Sequence, residues 1–189
     1  ALAGAVNKGL CIGIDPVEGA EFIFKNPEDS SFPSFYINDI MRLSTSRAYL
    51  ATNVGFADYD LATSTYSLRE SSTGMPADII TRLLSVKNSD GSLSGILAGT
   101  AKGLAYSATT ERWNVINEAF ESEVTCFTKT ETPSVKQTRV LVGTPKGIYF
   151  VDMDAYLNDG DNSVHYLEAI TALLPSWYIY CLGYNTSTD

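Results

Sequence analysis

The sequence predicts an all-β chain assembled from four copies of one four-stranded unit. Three observations carry the prediction. One short phrase occurs four times, strand-like apolar runs flank each copy, and the strand-favouring residues Tyr (11) and Phe (8) are plentiful among 189 residues. The phrase reads Ala3-Gly4-Ala5-Val6-Asn7-Lys8-Gly9-Leu10, then Ala51-Thr52-Asn53-Val54-Gly55-Phe56. It returns as Ala98-Gly99-Thr100-Ala101-Lys102-Gly103-Leu104 and as Val142-Gly143-Thr144-Pro145-Lys146-Gly147-Ile148. The second glycines, Gly9, Gly55, Gly103 and Gly147, are spaced by 46, 48 and 44 residues. Such a period marks a repeat architecture.

Each element follows from this frame. The phrases span 2–15, 49–60, 96–107 and 140–152 with their flanking strands. The central glycine supplies the bare or positive-φ backbone that a tight hairpin needs, so each phrase joins two strands. A further strand follows at 20–24, 65–68, 112–116 and 164–167, and another precedes the next phrase at 37–43, 79–84, 124–127 and 177–181. Four short antiparallel strands per unit of about 45 residues make a propeller blade. A two-sheet sandwich also has many short strands, but gives no reason for one phrase to recur in phase.

The whole chain, 1–189, therefore reads as a single β-propeller domain. It opens on the second strand of a unit and closes on a first strand, about 176–184. Two readings stand. The last strand completes the first blade and closes a four-bladed ring, or the chain is part of a larger propeller, for example a seven-bladed one. The start at Ala1 rather than Met suits a chain that has lost a leader or is cut from a longer one. The loops at 27–33, 87–92 and 130–134 are ordinary, and Asp90-Gly91 is a good hairpin signal.

Bulk composition narrows the partners. A formal charge of −9 argues against nucleic acid and anionic membrane. No apolar run reaches the roughly 18 residues of a membrane span, so no membrane insertion is expected. Cys11, Cys126 and Cys181 are widely spaced, without CxxC, and read as small apolar strand residues.

Several stretches resemble known propeller families. Ile80-Thr81-Arg82-Leu83, Asp90-Gly91-Ser92-Leu93, Leu97-Ala98-Gly99-Thr100 and Gly103-Leu104-Ala105-Tyr106 resemble the two-component-regulator type of propeller repeat. Residues 47–60 resemble blades of the propeller subunit in the attachment complex of type IX secretion. Tyr106-Ser107-Ala108-Thr109-Thr110-Glu111-Arg112-Trp113 resembles a degraded Asp-box of the sortilin-like and sialidase-like kind, without its Asp and Gly. The resemblance implies ligand sensing or protein contact outside the cytoplasm, periplasmic or at the cell surface. Family members usually carry seven blades, so four repeats depart from the pattern. No catalytic residue carries over, because the shared positions are glycines, threonines and apolar residues.

Candidate chemistry is sparse. The one histidine, His165, lies on a predicted strand and reads as a strand-surface residue rather than a catalytic base. The loop 152–162 gathers oxygen ligands, and Asp154, Asp159, Asp161 and Asn162 are its candidates for calcium. It lacks the EF-hand spacing and terminal Glu, and a solvated turn explains it as well. Otherwise no cofactor is expected. Arg42 and Arg82 are read as equivalent on first strands, which line the central channel, and so as candidates to face an anion there. The aromatic group Trp177, Tyr178, Tyr180 and Tyr184 suits an interface or a sugar-like surface, or packing between blades. Asn185-Thr186-Ser187 matches a glycosylation acceptor.

The expectation is a non-enzymatic binding module that meets a protein or a glycan through its loops and channel rim. Alternatives are a structural part of a surface, secretion or virion assembly, and a carbohydrate-active enzyme with acids or arginines at one channel mouth.

Overall fold

The computed structural model describes residues 2–5, 9–13, 22–25, 36–69, 74–87, 92–117, 120–130, 139–159 and 163–183. The first sheet holds β1 (Leu2–Ala5), β2 (Gly9–Gly13) and β3 (Phe22–Lys25). The second holds β4 (Ile37–Arg42), β5 (Arg47–Thr52), β6 (Gly55–Asp60) and β7 (Thr65–Arg69). The third holds β8 (Ile80–Lys87), β9 (Leu93–Thr100), β10 (Gly103–Ser107) and β11 (Asn114–Ile116). The fourth holds β12 (Cys126–Lys129), β13 (Arg139–Thr144), β14 (Gly147–Asp152) and β15 (Val164–Tyr166). Every sheet is an antiparallel meander in chain order. This is the predicted all-β propeller arrangement. The first sheet has three described strands rather than four. Within the expected closing strand, 177–183 forms no β-ladder.

The phrase folds as a hairpin for a reason carried by its threonine. Thr52 Oγ1 donates to the carbonyl of Gly55 (2.7 Å) and accepts from Val54 N (3.1 Å). Thr100 repeats this with Gly103 (3.0 Å) and Lys102 (3.1 Å), and Thr144 with Gly147 (2.9 Å) and Lys146 (3.0 Å). All three threonines are fully buried, so the hydroxyl satisfies turn groups that water does not reach. The glycines sit at φ of +132°, +138° and +122°, which side chains disfavour. A Cβ on Gly103 would stand 2.7 Å from the Phe120 carbonyl oxygen, so backbone passes where a side chain would be.

The sheets stack face to face, which explains why the second strands read as continuous apolar runs. Along β5, Leu50 joins a cluster with Leu10, Ala57 and Tyr59, while Tyr49 and Ala51 face a cluster with Ile80, Ile96, Ala98 and Trp113. Along β9, Leu97 turns the other way, toward Val124, Val140, Val142 and Met153. Strands with both faces covered need apolar residues at successive positions, not alternate ones. The outer face of the fourth sheet has its own cluster of Cys126, Ile148 and Ile179, with Leu141, Leu167, Leu174 and Leu182 against it.

Among the described residues two short helices depart from the all-strand expectation. Helix α1 (Met153–Asp159) follows β14 directly, and α2 (Glu168–Thr171) follows β15. Asp152 Oδ1 accepts from Ala155 N (3.0 Å), which satisfies a free donor at the start of α1. Met153 is fully buried, and Tyr156 sets its ring edge-on to Tyr106 at 5.7 Å. A capping aspartate and apolar anchors thus turn the expected loop into a helix.

Candidate functional site

Neighbouring sheets meet through their inner strands, with β1 against β4, β4 and β5 against β8, and β8 against β12. A repeated device joins them. In β4 the ladder pairs Ile37 with Thr52 and Asp39 with Ala51, skipping Asn38. In β8 it pairs Ile80 with Thr100 and Arg82 with Gly99, skipping Thr81. A residue skipped by the ladder is re-aimed out of the sheet. Asn38 Nδ2 donates to the carbonyl of Ile80 (2.8 Å), and Thr81 Oγ1 to that of Val124 (2.6 Å). Thr125, just before β12, donates likewise to the carbonyl of Ile179. Backbone bonds match: Val124 N donates to Thr100 O (3.0 Å), as Ile179 N does to Thr144 O (3.0 Å). Ile179 thus sits on the fourth sheet as Val124 sits on the third. The segment 177–183 takes the place of a next first strand.

These joints frame a cleft of about 440 Å³ at the inner edge, lined by Asn38, Asn53, Thr81, Arg82, Glu123, Thr125, Tyr178 and Tyr180 together with Ile37, Ile79 and Val124. Arg82 is held from one side. Its Nη1 donates to the carbonyls of Thr81 (2.6 Å) and Asn38 (3.2 Å). Among the described residues its Nη2 and Nε meet no acceptor. The adjacent carboxylate, Asp39, is occupied elsewhere, accepting from Ile40 N (2.9 Å) and Leu83 N (2.8 Å). Asn38 also donates to Asn53 Oδ1 (2.8 Å). Tyr178 and Tyr180 stand together with ring centroids 4.5 Å apart. The Glu123 carboxylate pushes the Tyr178 phenol above its ordinary value, with burial and Tyr180 adding to the rise. The cleft therefore offers a guanidinium with free donors, amides, hydroxyls and an aromatic pair.

The residues predicted from sequence divide. Arg82, Tyr178 and Tyr180 line the cleft. Arg42 does not. It pairs with Ala48 at the far end of β4, whereas Arg82 pairs with Gly99 beside the hairpin, so the two are not equivalent. The true counterpart of Arg82 is Asp39. Arg42 instead donates to the carbonyls of Ser44 (2.9 Å) and Thr45 (3.3 Å) and braces an exposed turn. Trp177 is 65% exposed and lies outside the cleft lining. Asp154 and Asp159 sit on α1, five residues apart, which turns them about 140° from one another around the helix. Asp161, Asn162 and Tyr184 lie outside the described residues, as do Asn185, Thr186 and Ser187. Among the described residues no three His, Cys, Asp or Glu side chains gather as metal ligands. His165 stacks on Phe150 at 5.2 Å, within the fourth sheet.

Asn38, Thr81, Glu123 and Thr125 went unpredicted. A signal existed for two of them. Thr81 and Thr125 each stand nineteen residues before a phrase threonine, Thr100 and Thr144. Asn38 precedes Thr52 by only fourteen, because β4 and β5 have six residues each where β8 and β9 have eight, and the turn between them is one residue shorter.

No family model matches the chain, and no curated protein matches it. Solved structures match its shape. It resembles the extracellular domain of BT4673 from B. thetaiotaomicron, described as a hybrid two-component system, with TM-score 0.68 and 13% identity over 95% of this chain and 22% of that one. It resembles the extracellular domain of BT3049, a system of the same description from that organism, with TM-score 0.60 and 17% identity over 86% and 22%. It also resembles PorZ, a surface component of the type IX secretion system of Porphyromonas gingivalis, with TM-score 0.56 and 14% identity over 86% and 20%. The chain spans about a fifth of the length of these structures. At such identity the likeness concerns the fold, and it agrees with both propeller resemblances seen in the sequence.

Proposed function

We propose that the chain is a non-enzymatic binding module of the propeller type, working outside the cytoplasm and taking its ligand, a glycan or a protein segment, at the inner cleft. The observation that supports this most is Arg82. Its guanidinium is anchored through one nitrogen and leaves the others directed at no acceptor among the described residues, in a cleft it shares with a tyrosine pair. A forked donor next to aromatic faces suits a ligand with both a polar or anionic group and an apolar face. Glycoside hydrolysis calls for two carboxylates flanking the bond, and the described cleft lining offers one, Glu123. The extracellular setting of the similar domains supports the compartment.

The test is a binding screen against glycans and peptides, followed by calorimetry on variants. Arg82→Gln and Tyr178→Ala should each weaken binding by about tenfold or more, equivalent to about 1.4 kcal/mol. Arg42→Gln should leave it unchanged. Full affinity in Arg82→Gln with loss in Arg42→Gln would overturn the assignment.

A second reading, a part of a larger assembly, rests on the segment 177–183. It takes a first-strand place while Trp177, Tyr180 and Leu173 stay 65%, 76% and 85% exposed. Under this reading the isolated chain self-associates in light scattering, and Trp177→Ser with Leu173→Ser makes it monomeric. A wild-type monomer at high concentration would count against it.

A further inference from the structure

Spacing in the sequence leaves the three cysteines unrelated, but the fold makes two of them neighbours. The ladder places Asp39, Arg82 and Cys126 at one equivalent position, opposite Ala51, Gly99 and Gly143. Ile179 matches Val124 in its bond to the preceding hairpin, so Cys181, two residues on, is next in the series. At the first joint the short side chain at this position crosses to the next blade, where Asp39 Oδ2 accepts from Leu83 N at 2.8 Å. At the last joint Cys126 holds the place of Asp39, and the counterpart of Leu83 is Leu182. Leu182 packs in the same apolar cluster as Cys126. The Cys126 sulfur and the Ile179 side chain crowd one point, where a Cβ on Gly143 would be. Burial pushes the Cys126 thiol above its ordinary value, and the nearby Cys181 is among the groups that add to the rise.

We propose that Cys126 and Cys181, both free in this structure, are an oxidation site whose disulfide staples the segment 177–183 to the fourth sheet. The oxidant is a small-molecule disulfide, RSSR. Exposed Cys181 reacts first as its thiolate, attacking one sulfur and releasing one RS⁻. Cys126 then gives its proton to solvent and attacks the sulfur of Cys181, releasing the second RS⁻. Two thiols and one RSSR become one protein disulfide and two RSH. Buried Cys126 contributes the slower second attack, because little of it is thiolate at neutral pH.

The experiment is oxidation of the native 189-residue chain with excess oxidised glutathione, alkylation and tryptic mapping. Cleavage after Lys and Arg places Cys11 in peptide 9–25, Cys126 in 113–129 and Cys181 in 147–189. The expected result is a fall from three titratable thiols to one, with 113–129 joined to 147–189. The linkage should persist in Cys11→Ser and vanish in Cys181→Ser. Oxidation in concentrated urea gives the statistical reference, in which all three pairings form. A native chain that pairs statistically, keeps three thiols, or stops at a glutathione adduct on Cys181 overturns the proposal.

Discussion

At Gly99 two blades approach closely, and replacing it with alanine measures how tightly they are fitted. A Cβ at residue 99 would lie 2.5 Å from Val124 Cγ1 and 2.7 Å from Val124 Cβ. Carbon atoms in good contact stand about 3.5–4.0 Å apart, so something must move by about 1 Å. Val124 has little room to yield. It is fully buried, and its N–H is bound to Thr100 O at 3.0 Å. Overpacking of this kind costs about 1–3 kcal/mol. Val124→Ala alone removes two buried methyl groups and leaves a cavity, costing roughly 1.5–3 kcal/mol. In the double variant the 2.5 Å contact with Cγ1 is gone and the new methyl fills part of the space the valine vacates, while the 2.7 Å approach to the Cβ of residue 124 remains. The two losses should then fall short of additive by about 1–2 kcal/mol. Urea unfolding of the four proteins, read by linear extrapolation, gives the cycle directly. Additive losses, or a neutral Gly99→Ala, would refute the claim that blade spacing is set at this contact. The second sheet carries Ala51 at the same place, so the spacing is set joint by joint.

Further expectations follow from single groups. Thr100→Val removes a buried hydroxyl that makes two hydrogen bonds and should cost about 1–2 kcal/mol, lowering the thermal midpoint by about 2–8 °C, whereas Thr100→Ser should keep most of the stability; equal stability of Val and wild type would contradict the role given to the phrase threonine. Burial pushes the phenols of Tyr59, Tyr149 and Tyr156 above their ordinary value. Such groups stay protonated in the fold after the unfolded chain begins to ionise, so stability holds below about pH 10 and falls as pH rises through the folded values. A melting series should show this as a falling midpoint, with phenolate absorbance developing together with unfolding; early phenolate signal from folded protein would oppose it. Exchanging EDTA for millimolar calcium should leave the melting curve in place, because Asp154 and Asp159 stand five residues apart on α1; a clear upward shift would support calcium binding there.

How far the sequence could be read depended on whether a feature was local. The hairpins were legible because threonine and glycine act within four residues, as Thr100 and Gly103 do in bonding to one another across the turn. The apolar runs announced doubly covered strands for the same reason. The pairing of Arg42 with Arg82 failed because β4 and β5 are each two residues shorter than β8 and β9, and matching the strands by eye hid the shift. Only the ladder shows that Arg82 matches Asp39. Helix α1 was hidden by a composition that suits a polar loop equally well, until Met153 and Tyr156 were seen to be anchored by other strands. The cleft assembles residues from Ile37 to Tyr180, and no window of sequence contains it.

The stitches between blades bear on how such chains evolve. Each is a side chain of one blade given to a main-chain carbonyl of the next, at Ile80, Val124 and Ile179. Every residue type offers a carbonyl. The receiving blade can therefore drift in sequence at that point without losing the joint, and no pair of side chains has to change in step. A copied blade placed beside its parent finds its acceptor already in place. Architecture of this kind tolerates duplication and divergence together, and that suits a shape shared at 13–17% identity.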